Sequence, residues 1–434
     1  MLAEVASATR AEVDRAVAGV ARAMAEWAGM GPGGRTQALG RYAALLAASG
    51  ERLAELVHQE MGKPLAEARA EVARAGEVVA HFAAEPERLL TGHLPAPGGA
   101  GLGSHVRPVP IGVVAAIVPW NFPVALVLWK LAPALAAGCG VVVKPAIEAS
   151  LSPWLLCDLA EQAGIPPGLV ACLTGDGPIL GEALATHPGV AKVAFTGSRR
   201  VAEQIAAWAS PRLKALSLEL GGHGPLVVLP DADLETVVDV AVSQGYANAG
   251  QACYSVNRVL APPALAGDLL ESIRERLQAV RLGPMATERG VDRHQMLLAD
   301  AESHGARLEE GAGGDGGRTL APVLVTGAGP GVRLVDEEPF TPIVAVLEAP
   351  DLDWAIREAN RPDYGLVGYV CGRDLRGCLA AAEALECGTV VINGWRVVVP
   401  YAPYAGWRGS GVGAELGRPG MEAFLRWQHL RVLA

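Results

Sequence analysis

The sequence has few charged and aromatic residues, and it has no spacing typical of a metal or disulfide site. Of its 434 residues, 51% are hydrophobic, 19% charged and 5% aromatic. This composition excludes extended disorder and supplies a large core. The seven cysteines are an odd number without Cys-x-x-Cys spacing. We therefore expect no metal and no disulfide framework, and a reducing cytoplasm as the location.

Basic clusters and long uninterrupted apolar runs are also missing. The net charge is −10 and Arg199-Arg200 is only a doublet, so no nucleic-acid partner is expected. The N-terminus shows no positive segment followed by an apolar core, so no signal peptide is expected. Pro108–Trp129 is uncharged, but four prolines and Asn121 interrupt it. A buried strand, a turn and a helix start explain it better than a membrane span does, so no membrane partner is expected.

The sequence begins with apolar residues at helical spacing and continues with strand-like and helical segments in regular alternation. Alanine-rich periodic segments predict helices over Glu4–Trp27, Thr36–Gln59 and Pro64–Ala83. From Ile111 to Glu219, short apolar runs alternate with helical segments. Repeated βα units of this size predict a doubly wound parallel sheet with ligands at the carboxyl ends of its strands. A second α/β layer begins near Gly222.

The stretch Asn248–Arg258, with Cys253 near its centre, lies between a predicted helix and the predicted strand Val256–Ala261. Gly250 permits close approach of the backbone. A cysteine considered alone is more often a buried structural residue. Two further stretches change that interpretation, because Pro119–Pro123 supplies the amide of Asn121 and Leu218–Gly222 supplies the carboxylate of Glu219.

Seven motifs together resemble the aldehyde dehydrogenase superfamily, in order and spacing, from about Val13 to the C-terminus. They are Pro119-Trp-Asn-Phe-Pro, Lys144-Pro-Ala, Phe195-Thr-Gly-Ser, Glu219-Leu-Gly-Gly, Gly250-Gln-Ala-Cys, Glu338-Pro-Phe-Thr-Pro and Ser410-Gly-Val-Gly-Ala-Glu-Leu-Gly. One short motif would be weak evidence, whereas seven in order are specific.

The resemblance implies an α/β fold with three parts. A doubly wound, Rossmann-like dinucleotide-binding domain would comprise 1–94 and 109–220, and an α/β catalytic domain would comprise 221–405. A small β element for bridging and oligomerisation would comprise 95–108 and 406–434. The resemblance also implies a homodimer or homotetramer.

The implied activity is oxidation of an aldehyde to a carboxylic acid with NAD or NADP. Cys253 would attack the carbonyl to form a thiohemiacetal and then a thioester. Asn121 and the backbone N–H of Cys253 would stabilise the oxyanion, and Glu219 would be the general base. Considered alone, Asn121 could be a turn residue and Glu219 a cap or an ion-pair partner. Lys130 and Glu415 match a proposed proton-relay pair, and an ordinary ion pair remains the alternative.

The cofactor site is predicted partly from the residues themselves. Gly197 and Ser198 end a strand and open a helix, and a helix N-terminus favours pyrophosphate. The resemblance adds six residues around the dinucleotide: Ile117, Trp120, Lys144, Gly177, Glu338 and Phe340. Ile147 stands where many NAD-preferring members carry Glu, so NAD and NADP both remain open.

Substrate choice is weakly encoded. Val124, Leu128, Trp129, Tyr254 and the loop Trp395–Tyr401 are expected to line the aldehyde entrance, favouring a medium-sized aliphatic or aromatic aldehyde. Arg396 could instead bind a substrate carboxylate, although an exposed loop arginine is the simpler interpretation. A CoA-acylating enzyme and a catalytically inactive binding or structural relative are the alternative functions.

Overall fold

A computed structural model describes residues 2–88, 92–94 and 103–432 of the chain. Segment 95–102, which the sequence analysis assigns to the bridging element, lies outside the described residues. The helices are α1 Arg10–Gly29, α2 Gly31–Ala48, α3 Gly50–Met61, α4 Leu65–Ala83, α5 Pro123–Ala137, α6 Leu151–Gln162, α7 Gly177–Thr186, α8 Arg199–Ala209, α9 Leu234–Gly245, α10 Pro263–Leu277, α11 Glu288–Ser303, α12 Arg333–Asp336, α13 Leu352–Asn360, α14 Leu375–Ala384 and α15 Gly417–Glu422. The strands are β1 Gly92–Leu94, β2 Gly103–Pro110, β3 Val113–Ile117, β4 Gly140–Lys144, β5 Val170–Cys172, β6 Val190–Thr196, β7 Ala215–Glu219, β8 Gly224–Val228, β9 Val256–Ala261, β10 Arg307–Glu310, β11 Val323–Thr326, β12 Ile343–Glu348, β13 Val367–Cys371, β14 Thr389–Ile392, β15 Gly411–Val412 and β16 Leu425–Val432.

The N-terminal helical layer is confirmed, but the prediction of one helix over Thr36–Gln59 is wrong. The chain turns at Ser49, where φ is −94° and ψ is 6°, so α2 ends and α3 begins. This break lets both helices pack on α4. Helical periodicity continues across the turn, which is why the pattern did not reveal it.

The predicted doubly wound sheet is confirmed. Its strand order is β15-β7-β6-β3-β4-β5, and all neighbours are parallel except β15, which pairs antiparallel with β7. The strands β3 and β4 are buried throughout, as expected for a parallel sheet covered on both faces. The two-residue strand β15 was not predicted, because Gly411-Val412 is too short to show a period.

The second α/β layer is a seven-stranded sheet in the order β10-β11-β12-β9-β8-β13-β14. A third, three-stranded sheet of order β1-β2-β16 joins the segment around residue 105 to the C-terminal strand. Helix α11 was not predicted, because it is largely polar and only three of its residues are buried. Within the described ranges, no helix is long and apolar enough to cross a membrane.

Candidate active site

A tight loop between α9 and β9 positions Cys253. Asn248 (φ 50°) and Ala249 (φ 55°) adopt left-handed conformations that non-glycine residues seldom take, and Gly250 follows at φ 72°. A Cβ on Gly250 would lie 2.2 Å from the Thr341 carbonyl oxygen, which confirms the predicted close approach. The loop therefore turns sharply against Thr341, and Cys253 lines the main cavity of the molecule.

The Cys253 thiol is close to the Glu219 carboxyl group and to the phenol of Tyr404. Its Sγ is 3.5 Å from the hydroxyl oxygen of Tyr404. Burial and the nearby Glu219 carboxylate raise the pKa of Cys253 well above its ordinary value, and the Tyr404 hydroxyl partly opposes this shift. The thiol therefore keeps its proton at neutral pH unless a base or a positive charge assists its ionisation.

Asn121 lies in the turn between β3 and α5 and is buried. Its side-chain amide donates to the Gln251 carbonyl at 3.0 Å, two residues before Cys253. Its own carbonyl accepts from the Asn248 amide at 3.1 Å. These bonds join the turn of the first sheet to the cysteine loop of the second, so the two motifs meet as predicted.

A buried ion pair that the sequence analysis missed supports this turn. Lys63 Nζ lies 2.5 Å from Glu71 Oε2 and donates to the Asn121 carbonyl at 2.8 Å. The other oxygen of Glu71 accepts the N–H groups of Val124 and Ala125 at the start of α5. A carboxylate at a helix N-terminus is favourable. The only sequence signal was Lys63-Pro64 ahead of a helix, which does not reveal a partner.

Glu219, the last residue of β7, is buried and approaches Cys253 from the first sheet. Burial and the Glu415 carboxylate raise the pKa of Glu219 to about 8, while Lys130, the Cys253 thiol and the Thr196 hydroxyl lower it. Neither of its oxygens accepts a hydrogen bond from a described residue. A carboxylate with a pKa near the working pH suits general base catalysis.

Lys130 and Glu415 form the predicted pair deep behind Glu219. Lys130 Nζ lies 2.6 Å from Glu415 Oε1, and both side chains are buried. The same ammonium group donates to the Thr196 hydroxyl at 2.6 Å, and Thr196 is the register partner of Glu219 on the neighbouring strand. A polar path thus leads from Glu219 through Thr196 and Lys130 to Glu415.

The main cavity has a volume of about 1190 Å³ and lies between the two large sheets. Five of the predicted cofactor residues line it: Trp120, Gly197, Ser198, Glu338 and Phe340. Ser198 is the N-cap of α8, so the first turn of this helix faces the cavity, as predicted for a pyrophosphate site. A Cβ on Gly197 would lie 2.5 Å from the Phe195 ring, so only glycine fits there.

Glu338 and Phe340 stand opposite that helix. Glu338 accepts the Gly222 N–H at 3.0 Å, and burial raises its pKa to about 7 despite this bond. Phe340 has a positive φ of 54°, and its ring lies 5.9 Å from that of Trp120 in an edge-to-face arrangement. A nearly neutral carboxyl group and two aromatic rings can receive a ribose and a planar base.

The remaining predicted cofactor residues, Ile117, Lys144 and Gly177, are not among the residues that line the cavity. Gly177 is the first residue of α7. Ile117 ends β3 and pairs with Lys144, which ends β4. Burial lowers the pKa of Lys144, although Glu148 and Asp176 oppose the shift. A Cβ on Gly177 would lie 3.6 Å from Lys144 Nζ. Their cofactor roles stay predictions.

The predicted substrate entrance is partly corrected. Trp129, Tyr254 and residues 395–398 line the cavity. Val124 and Leu128 are almost fully buried in the core and do not line it, so their assignment was wrong. They face away from the cavity on α5, a distinction that spacing alone did not make. Across the described chain, no group of acidic, histidine and cysteine side chains could hold a metal ion.

Comparisons with known proteins fit this geometry. The model of the aldehyde dehydrogenase family matches residues 1–430. The chain belongs to the aldehyde dehydrogenase family. It is 35% identical to a probable NADP-dependent succinate-semialdehyde dehydrogenase of Sinorhizobium fredii, over all of this chain and 90% of that protein. It is 36% identical to the 3-sulfolactaldehyde dehydrogenase of Pseudomonas putida, over 99% of this chain and 90% of that protein.

A solved structure shows the same fold. The succinate-semialdehyde dehydrogenase of Burkholderia pseudomallei superimposes with a TM-score of 0.97 at 34% identity, covering 100% of this chain and 92% of that chain. The protein is therefore an NAD(P)-dependent aldehyde dehydrogenase, which oxidises an aldehyde to a carboxylic acid with NAD or NADP.

Proposed function

We propose that Cys253 is the nucleophile of a hydrolytic aldehyde dehydrogenase, with Glu219 as its general base and Asn121 as its oxyanion donor. The observation that carries this proposal is the convergence of the three groups at Cys253: Asn121 and Cys253 line the cavity, and Glu219 lies close to the thiol. The carboxylate from β7 lies close enough to influence the thiol, and the amide from the β3–α5 turn is bonded to the same loop.

The first stage makes the carbonyl tetrahedral. Cys253 sulfur forms a bond to the aldehyde carbon, and its proton passes to Glu219, whose raised pKa suits it to accept one. The oxyanion is stabilised by the Asn121 amide and the Cys253 N–H. One such donor contributes about 3 kcal/mol to lowering the barrier. The bound dinucleotide supplies the hydride acceptor, and the acyl group remains on Cys253 as a thioester.

The second stage is hydrolysis. Glu219 first passes the thiol proton along the path through Thr196, Lys130 and Glu415 and becomes ionised again. It then takes a proton from water, the water oxygen bonds to the acyl carbon, and the carbon–sulfur bond breaks to release a carboxylic acid. The proton then leaves through Thr196, Lys130 and Glu415, which are in contact in that order. This assigns Lys130 and Glu415 as a relay rather than as an ordinary ion pair.

The cofactor residues are proposed from the same cavity. The α8 N-terminus at Gly197 and Ser198 would hold the pyrophosphate, while Lys144 and Glu338 would bind ribose hydroxyls. Phe340 and Trp120 would pack near the nicotinamide. Ile117 and Gly177 would shape the adenosine side between the strand ends.

Two experiments test the reaction. Cys253→Ala is expected to abolish NAD(P)H formation while leaving dinucleotide binding, measured by fluorescence titration, nearly unchanged. Undiminished activity in that variant would refute the site. Product analysis with and without CoA then separates hydrolysis from acyl transfer to CoA. The well-placed Glu219 favours the free acid, and an inactive relative would give neither product.

The substrate end of the cavity suggests an aldehyde with a second, anionic group. Arg396 lines the entrance, but its guanidinium is paired with Glu77 at 3.1 Å. Arg74 lies on α4, one turn before Glu77. It lines the same cavity and forms no ion pair with any described residue. Its charge reaches Tyr254, the neighbour of Cys253. We assign Arg74 rather than Arg396 as the group that receives the anion.

Two similar proteins are named for aldehydes of this kind, succinate semialdehyde and 3-sulfolactaldehyde. A panel comparing succinate semialdehyde, butanal and benzaldehyde tests the assignment. Preference for the semialdehyde is expected, and a preference for butanal or benzaldehyde would favour the apolar alternative drawn from the aromatic lining.

Assembly and location are proposed from the surface of the third sheet and from the cysteines. Trp427 and Leu430 of β16 are exposed at the edge of the three-stranded sheet, a surface suited to a second copy of the chain. We therefore propose a homodimer or homotetramer, to be measured by sedimentation. All seven cysteines are free, which suits a cytoplasmic enzyme.

A further inference from the structure

Lys192 is a buried lysine next to the relay, and the mechanism above does not use it. It is 1% exposed, and its ammonium group donates to the Ser217 hydroxyl at 2.6 Å. Its Nζ also lies 5.1 Å from the centre of the Phe424 ring. Among the described residues, none forms an ion pair with it within 4.0 Å. Burying an ammonium group with so little compensation is costly, so a purely structural role is a poor explanation.

The strand pattern places Lys192 on the catalytic face of the sheet. Lys192 and Thr196 are four residues apart on β6, and Ser217 and Glu219 are two apart on β7, so each pair points to one side. Thr196 and Glu219 are register partners. Lys192, Ser217, Thr196 and Glu219 therefore form one buried polar face that reaches from the middle of the sheet to Cys253.

The charges around Lys192 point to Glu415. Burial lowers the pKa of Lys192 to about 8, Glu415 and then Cys139 oppose that shift, and Lys130 adds to it. Of the two groups that oppose the shift, only Glu415 is a carboxylate. Burial raises the pKa of the Cys139 thiol to about 11, so that thiol is neutral. Glu415 is thus in contact with Lys130 and within electrostatic range of Lys192.

A narrow crevice, too tight to hold a water molecule, lies beside these groups. Ser217, Glu219, Tyr404 and Glu415 line it, and its outer part reaches Gly413, which is exposed. Both oxygens of Glu415 accept no hydrogen bond with good geometry from the described residues. The exposed Gly413 is two residues from Glu415, so this end of the path lies near solvent.

We propose that Lys192 is a positioning residue of the proton relay: with Ser217 it holds a second positive charge beside Glu415. The inference rests on the hydrolytic function proposed above. Lys130 first passes a proton to Glu415 and becomes a neutral amine. The Thr196 hydroxyl then passes its proton to Lys130 while it accepts, from Glu219, the proton taken from water. Glu415 releases the proton to solvent near the exposed Gly413. Lys192 gains and loses no proton in this sequence, and its positive charge stabilises the Glu415 carboxylate.

The test compares Lys192→Met with the matched control Lys214→Met. Burial also lowers the pKa of Lys214 to about 8, and it precedes β7 in the same sheet, but its ammonium group donates only to the backbone carbonyls of His187 and Val190 at the opposite strand ends. The readouts are the burst of NAD(P)H in the first turnover and the pH profile of steady-state kcat. Lys192→Arg, which keeps the charge, is the conservative rescue.

In Lys192→Met we expect a full burst, a kcat about tenfold lower at pH 7, and an acid limb moved up by about one pH unit, because the buried carboxylates of the path lose a positive neighbour. Lys192→Arg and Lys214→Met should keep the wild-type profile. A wild-type profile in folded Lys192→Met, a lost burst, or an equal shift in Lys214→Met overturns the proposal. If Lys192→Met does not fold, Ser217→Ala is the deciding variant. An acid limb that is unchanged in Ser217→Ala also overturns the proposal.

Failure of the proposed function has a different signature. A Glu219→Gln variant with normal steady-state turnover would refute the hydrolytic base itself, whatever the Lys192 variants show.

Discussion

Tyr404 and Glu415 exchange two backbone hydrogen bonds, of 2.7 and 2.8 Å, in an isolated antiparallel bridge. The hydroxyl of Tyr404 lies 3.5 Å from Cys253 Sγ, and the carboxylate of Glu415 pairs with Lys130. One backbone bridge thus fixes both the group that contacts the thiol and the far end of the proton path. Movement of the segment from residue 404 to 415 would disturb both stages of the reaction together.

Tyr404→Phe is expected to make Cys253 less reactive. The hydroxyl contact lowers the pKa of Cys253 against the larger effects of burial and Glu219, so its loss raises the thiol pKa further. The rate of alkylation by iodoacetamide should fall several-fold at fixed pH, and its pH dependence should move to higher pH. Tyr401→Phe, whose side chain is 70% exposed, is the control. Equal alkylation rates in the two variants would contradict the assigned contact.

Glu219→Gln is expected to stop the enzyme after the thioester. Steady-state kcat should fall by about 10² to 10⁴, because the base is required for hydrolysis. The first-turnover burst should keep its amplitude but form more slowly, because Glu219 also accepts the thiol proton. In the wild type, hydrolysis should increase as pH rises towards about 8, where Glu219 becomes ionised. Rapid-mixing absorbance of the reduced nicotinamide measures both. A burst lost in parallel with kcat would instead assign Glu219 mainly to thiol activation.

The same substitution should raise stability. Burial makes Glu219 bind its proton more tightly in the folded chain, so its folded pKa of about 8 exceeds the ordinary 4.5. Stability from this group is complete below about 4.5 and is lost as pH rises through about 8. Glu219→Gln removes that loss, so its melting temperature should exceed that of the wild type at pH 8 and match it near pH 4.5. A lower melting temperature at pH 8 would show that the carboxylate is stabilising.

Ile147→Glu is expected to favour NAD over NADP. Ile147 follows Lys144-Pro-Ala and is 54% exposed beside the adenosine side of the proposed site. A carboxylate there would repel a 2′-phosphate, so kcat/KM for NADP should drop at least about tenfold while that for NAD changes little. Leu379→Glu, at an exposed position on α14, controls for the added charge. Equal losses for both dinucleotides would show that the 2′-phosphate binds elsewhere.

Arg74→Gln is expected to lower activity towards anionic aldehydes and to leave activity towards neutral aldehydes unchanged. If Arg74 receives the anionic end of the substrate, kcat/KM for succinate semialdehyde should fall about 10- to 100-fold while that for butanal remains unchanged. Arg396→Gln is the matched control, because its guanidinium is already paired with Glu77. A larger loss in the Arg396 variant would return the anion site to the loop, as the sequence first allowed.

The sequence was informative where chemistry depends on local motifs, and less so where it depends on distant contacts. The order of the motifs was enough to predict that Asn121 and Cys253 meet, although 130 residues separate Asn121 from its acceptor Gln251. Lys63 and Tyr404 carried no such signal, because their effect comes from the places to which the fold brings them. The side of α5 that Val124 occupies was also beyond reach, since the residues around it on that helix, 123 and 125–129, are all apolar.

Glu71 provides a final test of this long-range support. Its carboxylate holds buried Lys63 and caps α5, so Glu71→Ala leaves an ammonium group without its charged partner and two helix N–H groups without an acceptor. Breaking a buried pair in this way costs about 3 to 5 kcal/mol. Glu77→Ala, on the same helix but in an exposed pair, should cost at most about 1 kcal/mol. Calorimetric melting measures the difference, and kcat should fall in Glu71→Ala alone, because Lys63 also fixes the carbonyl of Asn121. Similar melting temperatures in the two variants would mean that the Asn121 turn is held by its own bonds to Asn248 and Gln251.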